Sequence, residues 1–225
     1  MRLPALLFDL DGTLVDSAAD IARALSIVSQ SRGGPIIDPA VVRPLVSLGA
    51  AVLVRRALGA VAGDEIDDLA RFRKALGSLA PDKAIIFDGV NATLTTLAEA
   101  GFSMAIVTNK PEALSRHLLQ GLALDHFFAA IVGGDSAKLP KPDRAPLDLA
   151  RQQMGMAGDA GVMIGDSSVD AAAARAGGVP FVLYERGYGA KECAAGDIAR
   201  RFDHFADLPR ILTELSIEID RAASR

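Results

Sequence analysis

The sequence predicts an α/β protein, a doubly wound parallel sheet with an all-α cap inserted after its first strand. Three observations predict it. Short apolar runs of buried-strand length recur along the chain. From Phe102 onward they alternate with helical segments, the pattern of a mostly parallel sheet covered on both faces. Between the first two runs, residues 16–82 show helical spacing and no convincing strand.

The runs occupy residues 5–8, 104–107, 130–132, 161–164 and 179–184, and each ends at polar, Gly or Pro residues. "PEALSRHLLQGL" starts at Pro111, a favoured first helical residue, and spaces Leu114, Leu118 and Leu122 on one face. "APLDLARQQMG" and "SVDAAAARAGG" also read as helices, each closed by glycine. Within 16–82, "SAADIARALSIVSQS" reads as an amphipathic helix begun by Asp16 or Ser17. "DPAVVRPLVSLG", "AAVLVRRALG" and "GDEIDDLARFRKALGSL" follow, each ended or broken by glycine. A strand-to-strand crossover usually needs one helix, not four, so this segment reads as a lid. The expected division is a core of residues 1–15 and 83–225 and a helical cap of residues 16–82. The closing "RAASR" reads as a frayed tail.

The chain has 225 residues, 50% of them hydrophobic, which is ample for a core. A formal charge of −4 gives no electrostatic footprint for nucleic acid or an anionic membrane. Tryptophan is absent and aromatics are few, which argues against a base-stacking surface. Cys193 is the only cysteine, so no intramolecular disulfide forms, and no motif gives it a chemical role. Asp9 interrupts the apolar run after Arg2, so the N-terminus does not read as a signal peptide. No apolar stretch reaches the ~20 residues that span a bilayer. The expectation is a cytoplasmic monomer or homodimer that binds neither nucleic acid nor membrane.

Ligands of doubly wound sheets gather at the C-terminal strand ends, where the strand order reverses. Those loops are well stocked here. The first strand ends at Asp9, with Asp11, Gly12 and Thr13 beyond it; "TNK" (Thr108, Asn109, Lys110) follows the second. "GGDSAKLPKPD" brings Lys138 and Lys141, and "GDSSVD" brings Asp166 and Asp170. Each piece alone suits a turn or a helix cap. Together, Asp9, Asp11, Asp166 and Asp170 in one crevice would repel without a cation. An all-oxygen, carboxylate-rich site suits a hard divalent ion, Mg²⁺ first. A hydroxyl, an amide and a lysine beside it suit an anionic group such as phosphate. With no serine–histidine pairing at a strand end, a carboxylate is the available nucleophile. Asp9 can attack phosphorus, and Asp11, two residues on, can give and take a proton. The Thr13 hydroxyl is expected to orient Asp11 or the following turn, or to play a purely structural part, and Gly12 to permit the bend. The residues alone leave Lys138 and Lys141 as alternatives. His117, His126 and His204 read as packing or surface residues.

"FDLDGTLVDS" resembles the first motif of the haloacid dehalogenase superfamily of aspartate-nucleophile phosphatases. "VTN", the lysine of "KPD" and "GDSSVD" resemble its second, third and fourth motifs, in order. The resemblance implies Asp9 as nucleophile and Mg²⁺ ligand. Asp11 becomes the general acid/base and offers its backbone carbonyl to the metal. Thr108 and Asn109 hold the phosphoryl group, and Lys141 neutralises nucleophile and phosphate. Asp166 ligates Mg²⁺, and Asp170 supports it through water. Within the superfamily, "IVTNKPEAL", "KLPKPDRAPL" and "GYG" resemble phosphoglycolate phosphatases. Two departures stand out. Ser47-Leu48-Gly49 replaces a frequent G-x-G in the cap loop, and Phe87-Asp88-Gly89-Val90 replaces Y-P-G-V at the return to the core. Arg55 and Arg56 could meet a substrate carboxylate, or form a solvated helix face. The expected activity is Mg²⁺-dependent hydrolysis of a small phosphorylated metabolite, phosphoglycolate first. The alternatives are a phosphomutase acting on a sugar phosphate and a non-catalytic phosphate-binding protein on the same fold.

Overall fold

The computed structural model describes residues 3–156, 158 and 160–223. Six strands, β1 (Ala5–Phe8), β2 (Met104–Val107), β3 (Ala130–Val132), β4 (Gly161–Gly165), β5 (Phe181–Tyr184) and β6 (Arg200–Phe202), form one sheet. Their order is β3-β2-β1-β4-β5-β6, and every pairing is parallel. Four α-helices lie between β1 and β2: α1 (Ala18–Gln30), α2 (Pro39–Val42), α3 (Ala50–Leu58) and α4 (Glu65–Ser78). The others are α5 (Val90–Glu99), α6 (Glu112–Leu122), α7 (Ala145–Gln153), α8 (Ser168–Gly177) and α9 (Leu208–Ala223). No described helix is long and apolar enough to cross a membrane.

Two-residue periodicity explains why the strands are apolar throughout. Leu6 and Phe8 of β1 face one side, with Met104, Ile106 and Ile164 of its neighbours, under α5, α6 and α9. Ala5 and Leu7 face the other, with Ala105, Val107 and Met163, under α7 and α8. Both faces of β1 are closed to water, and a fully buried Leu or Phe contributes about 1.5–3 kcal/mol. Leu6 lies opposite both Met104 and Val162, which places β1 at the centre. The chain winds outward in both directions from there, so the crevice beyond Phe8 is the switch point.

The helical insertion has its own apolar cluster, including Ile21, Leu25, Leu53, Leu58 and Phe72. Its two connections run side by side. Val15 bridges Ile86 antiparallel, the Asp16 N–H donates to the Ile85 carbonyl at 2.7 Å, and that of Phe87 to Leu14 at 3.1 Å.

Several boundaries differ from expectation. β4 reaches Gly165, and β5 begins at Phe181 because Pro180 has no N–H; its carbonyl accepts from Met163 at 3.0 Å. Pro111 precedes α6 as its N-cap, and the buried stripe there is Ser115, Leu118, Leu119 and Leu122. β6 carries no apolar run, and its arginines pair with Glu218 and Glu185 at 2.5 and 3.3 Å. The expected tail begins inside α9, which continues through Ala223; upstream, Leu208, Ile211, Leu212 and Leu215 pack that helix on the core. Residues 224 and 225 lie outside the described residues.

Candidate active site

Asp9 follows β1 directly, and its N–H donates to the Ile164 carbonyl at 2.9 Å, which continues the sheet pairing by one residue. The chain then turns sharply. The Leu10 carbonyl accepts from the N–H groups of Thr13, Leu14 and Val15. Gly12 sits at φ +90°, and a Cβ there would lie 2.6 Å from Asp166 Oδ2, so both conformation and space demand glycine.

This turn brings distant carboxylates together. Asp9, Asp166 and Asp170 each offer an oxygen, and these oxygens all lie within 4.8 Å of one another. The Lys141 ammonium sits between two of the acids, 2.8 Å from Asp9 Oδ1 and 2.6 Å from Asp170 Oδ1. The structure thus places Lys141, and not exposed Lys138, at the carboxylates. Asp170 Oδ2 accepts from the Ser167 hydroxyl at 2.6 Å and its N–H at 3.1 Å, a capping box that starts α8. Asp166 accepts the Thr13 hydroxyl at 2.8 Å and the Tyr188 N–H at 2.7 Å. Thr13 therefore holds Asp166, a correction to its expected bond with Asp11 or the turn.

Burial dominates the electrostatics. It pushes the Asp9 carboxyl up to about 6, with Lys141 opposing and Asp170 adding to the shift. It pushes Asp166 up to about 8, helped by Asp170 and Asp9. Burial works against the charge of Lys141, yet Asp170 and Asp9 outweigh it and hold the lysine above its ordinary value. Burial, with Asp170 and Asp166 nearby, also raises the Cys193 thiol to about 11, which makes it a poor nucleophile.

The donor set fits a hard divalent cation. It is all oxygen, with three buried carboxylates against one lysine. Glycines press the acids into place. A Cβ at Gly187 would lie 2.1 Å from that of Asp166, and one at Gly165 would lie 2.6 Å from Asp170 Cγ.

A cleft opens over the sheet end. Its floor holds Asp9, Asp11, Thr108, Asn109, Lys141 and Asp170, while the insertion contributes its wall. Thr108 Oγ1 accepts the Lys110 N–H at 3.2 Å; Asn109 Nδ2 donates to the Lys141 carbonyl at 3.0 Å, and its buried Oδ1 has no protein partner among the described residues. Sequence reasoning missed three groups around Asp11 and the connections. Lys110 donates to both Asp11 oxygens at 3.0 Å, and the Ser17 hydroxyl donates to Oδ1 at 2.5 Å. The Tyr188 hydroxyl donates to Asp16 at 2.7 Å and accepts from the Ala18 N–H. "TNK" and "GYG" were the available signals. Arg55 and Arg56 take the solvated-face alternative: both are exposed and neither lines the cleft, and Arg55 lies 3.7 Å from Glu65. The three histidines are exposed.

A central-strand aspartate thus stands with a lysine and two further carboxylates at the switch point of the sheet. The model of the haloacid dehalogenase-like hydrolase family matches residues 6–184, and the chain belongs to that family. Within it the chain is phosphoglycolate phosphatase-like. The phosphoglycolate phosphatase of Rhodospirillum rubrum is 38% identical over 213 residues, covering 91% of this chain and 88% of that protein. That of Xanthomonas campestris pv. campestris is 41% identical over 195 residues, covering 84% and 86%. The crystal structure of a predicted phosphoglycolate phosphatase from Haemophilus somnus superposes with a TM-score of 0.79 at 28% identity, covering 94% of this chain and 98% of that one.

Proposed function

We propose that this chain is a Mg²⁺-dependent phosphomonoester hydrolase working through an aspartyl-phosphate, with phosphoglycolate as its substrate. The observation that carries this reading is Asp9, rigidly set at the end of β1, 2.8 Å from Lys141 and open to the cleft. The names of the relatives, at 38–41% identity over most of the chain, support the substrate.

Asp9 Oδ attacks phosphorus, the P–O ester bond breaks, and Asp11 gives a proton to the leaving alkoxide. Water then attacks the aspartyl-phosphate while Asp11 takes its proton; phosphate leaves and Asp9 is restored. Thr108 and Asn109 bind phosphoryl oxygens, and Lys141 balances the negative charge that gathers there. Asp9, Asp166, Asp170 and the Asp11 carbonyl would hold Mg²⁺, with Asp170 acting through water. When bound, the ion supplies positive charge that offsets repulsion between carboxylate and phosphate. Residues 16–82 act as a cap on a core of residues 1–15 and 83–225, closing to exclude water in the first step and opening to admit it in the second. The free, half-buried Cys193 suits a reducing cytoplasm.

The test is Asp9→Asn. We expect loss of phosphate release from phosphoglycolate in a protein that still unfolds cooperatively, and acid-quenched parent enzyme carrying phosphate on the Asp9 peptide by mass spectrometry. Full activity in the variant would overturn the nucleophile. Interconversion of sugar phosphates by the parent without phosphate release would make it a mutase.

A further inference from the structure

The cleft wall and its floor differ in how their charges are balanced. Three cationic side chains line the cleft, Arg73, Lys110 and Lys141. Lys141 is neutralised by Asp9 and Asp170, and Lys110 by Asp11. Arg73 lies on α4, where Phe72, Arg73 and Leu76 turn toward the cleft at helical spacing. Its neighbours differ: Arg71 pairs with Asp67 at 2.7 Å, and Arg32 pairs with Asp67 and Asp68. Among the described residues Arg73 has neither an ion pair nor a hydrogen bond. The rest of the wall is uncharged: Val46, Ser47, Gly49, Ala50, Leu53 and the two apolar α4 residues. One turn beyond Arg73, a Cβ on Gly77 would lie 3.2 Å from Leu114 Cδ2 of α6, so α4 is seated directly against the core.

We propose that Arg73 is the specificity residue of the insertion, taking the carboxylate of the leaving group while the sheet end holds the phosphoryl group. The inference deepens the phosphomonoesterase reading and rests on it. A guanidinium presents a planar fork that matches a carboxylate with two parallel hydrogen bonds. A substrate with an anion at each end satisfies both the floor and the one unbalanced cation of the wall. A phosphomonoester with a neutral leaving group satisfies only the floor.

The experiment compares phosphoglycolate with ethyl phosphate, which keeps two carbons and lacks the carboxylate. In Arg73→Gln we expect the ratio of their kcat/KM values to fall about 10- to 100-fold, the loss of a charge-assisted hydrogen bond, with most of it in KM. Arg73→Lys should recover part of the ratio, because it restores charge without the fork. Arg73→Glu should shift preference toward phosphoethanolamine. An unchanged ratio in Arg73→Gln, or a parent enzyme that does not distinguish the two esters, would overturn the role of Arg73 and leave the phosphohydrolase reading standing. A parent enzyme that hydrolyses neither ester would overturn that reading instead. Calorimetric binding of the same two esters to Asp9→Asn, with and without Arg73→Gln, reads the inference in that case: the ratio of Kd values must collapse with Arg73.

Discussion

Replacing Lys141 with methionine tests the electrostatic account of the site most directly. The ammonium lies 2.8 Å from Asp9 and 2.6 Å from Asp170, with side-chain exposures of 2%, 12% and 1% respectively. Solvent screening is therefore weak. Methionine preserves length and removes the charge, which leaves two buried carboxylates facing each other. Removing one partner of a buried ion pair costs about 3–5 kcal/mol. A chain of this size loses roughly 2–4 °C of Tm per kcal/mol, so Lys141→Met should melt about 6–20 °C lower in chelated buffer. Saturating Mg²⁺ should return part of that loss, because a cation at the same carboxylates replaces the missing charge. Adding Asp170→Asn removes one of the orphaned acids, so the double variant should be more stable than additivity predicts by about 1–3 kcal/mol. Scanning calorimetry on the parent, the two single variants and the double variant closes the cycle. A Lys141→Met protein melting within about 2 °C of its parent, or strict additivity in the cycle, would refute the reasoning.

Two further perturbations probe the same cluster. Asp9 at about 6 and Asp166 at about 8 both lie above the ordinary 3.8, so the native protein keeps protons there that the unfolded chain has released. Stability without metal should thus be greatest near the unfolded value and fall as pH rises from about 4 to 8. Tm in chelator should decline across that window while the increment from Mg²⁺ grows, and a flat or rising Tm would contradict the shifts. Gly187→Ala puts a methyl 2.1 Å from Asp166 Cβ and 2.6 Å from its Cγ, so one of them must move by on the order of 1 Å. The expected cost is about 1–3 kcal/mol in stability and roughly 10–100-fold in the Mg²⁺ concentration that supports activity. Metal titrations of activity and melting curves read both.

Legibility followed the strength of the local signal. β1, β2 and β3 could be bounded from sequence because strands buried on both faces are continuous apolar runs between polar ends. β6 could not, since an edge strand needs only Phe202 inside and spends its other positions on Arg200 and Arg201. α9 carries helical spacing at Leu208, Ile211, Leu212 and Leu215, whereas the terminal "RAASR" carries no apolar side chain larger than alanine and gives no such signal. At the site, the carboxylates and lysines stood out because each sits at a strand end. What they bond to did not, because pairing across more than a hundred residues leaves no periodicity. Thr13 and Asp166 are 153 positions apart, and Lys110 and Asp11 are 99 apart. Arg55 and Arg56 drew attention as adjacent charges, yet the rotation of α3 turns them outward while Leu53 lines the cleft.

The segment from Asp9 to Ala18 joins chemistry and insertion through bonds that serve both. Its turn fixes Asp9 and holds Asp166 through Thr13. Its far end, just before α1, holds Asp11 through Ser17 and meets Tyr188 through Asp16 and the Ala18 N–H. Asp16 also pairs with Arg43 of the insertion at 2.7 Å, and the Arg43 guanidinium lies 5.6 Å from the Tyr188 ring centroid. Ser17 is placed to cap α1 but gives its hydroxyl to Asp11 instead, so the helix forgoes a bond commonly worth about 1 kcal/mol. A residue that forgoes local stability for a contact with Asp11 is under a constraint that helix formation does not supply. The constraint is geometric. Asp11 has no strand to hold it, and Lys110 from the next strand end and Ser17 from the base of the insertion fix its carboxylate from two sides. Rotation of α1 about the paired connections at Val15 and Ile86 therefore changes the Asp11 contacts before it changes those of Asp9, which the sheet itself holds.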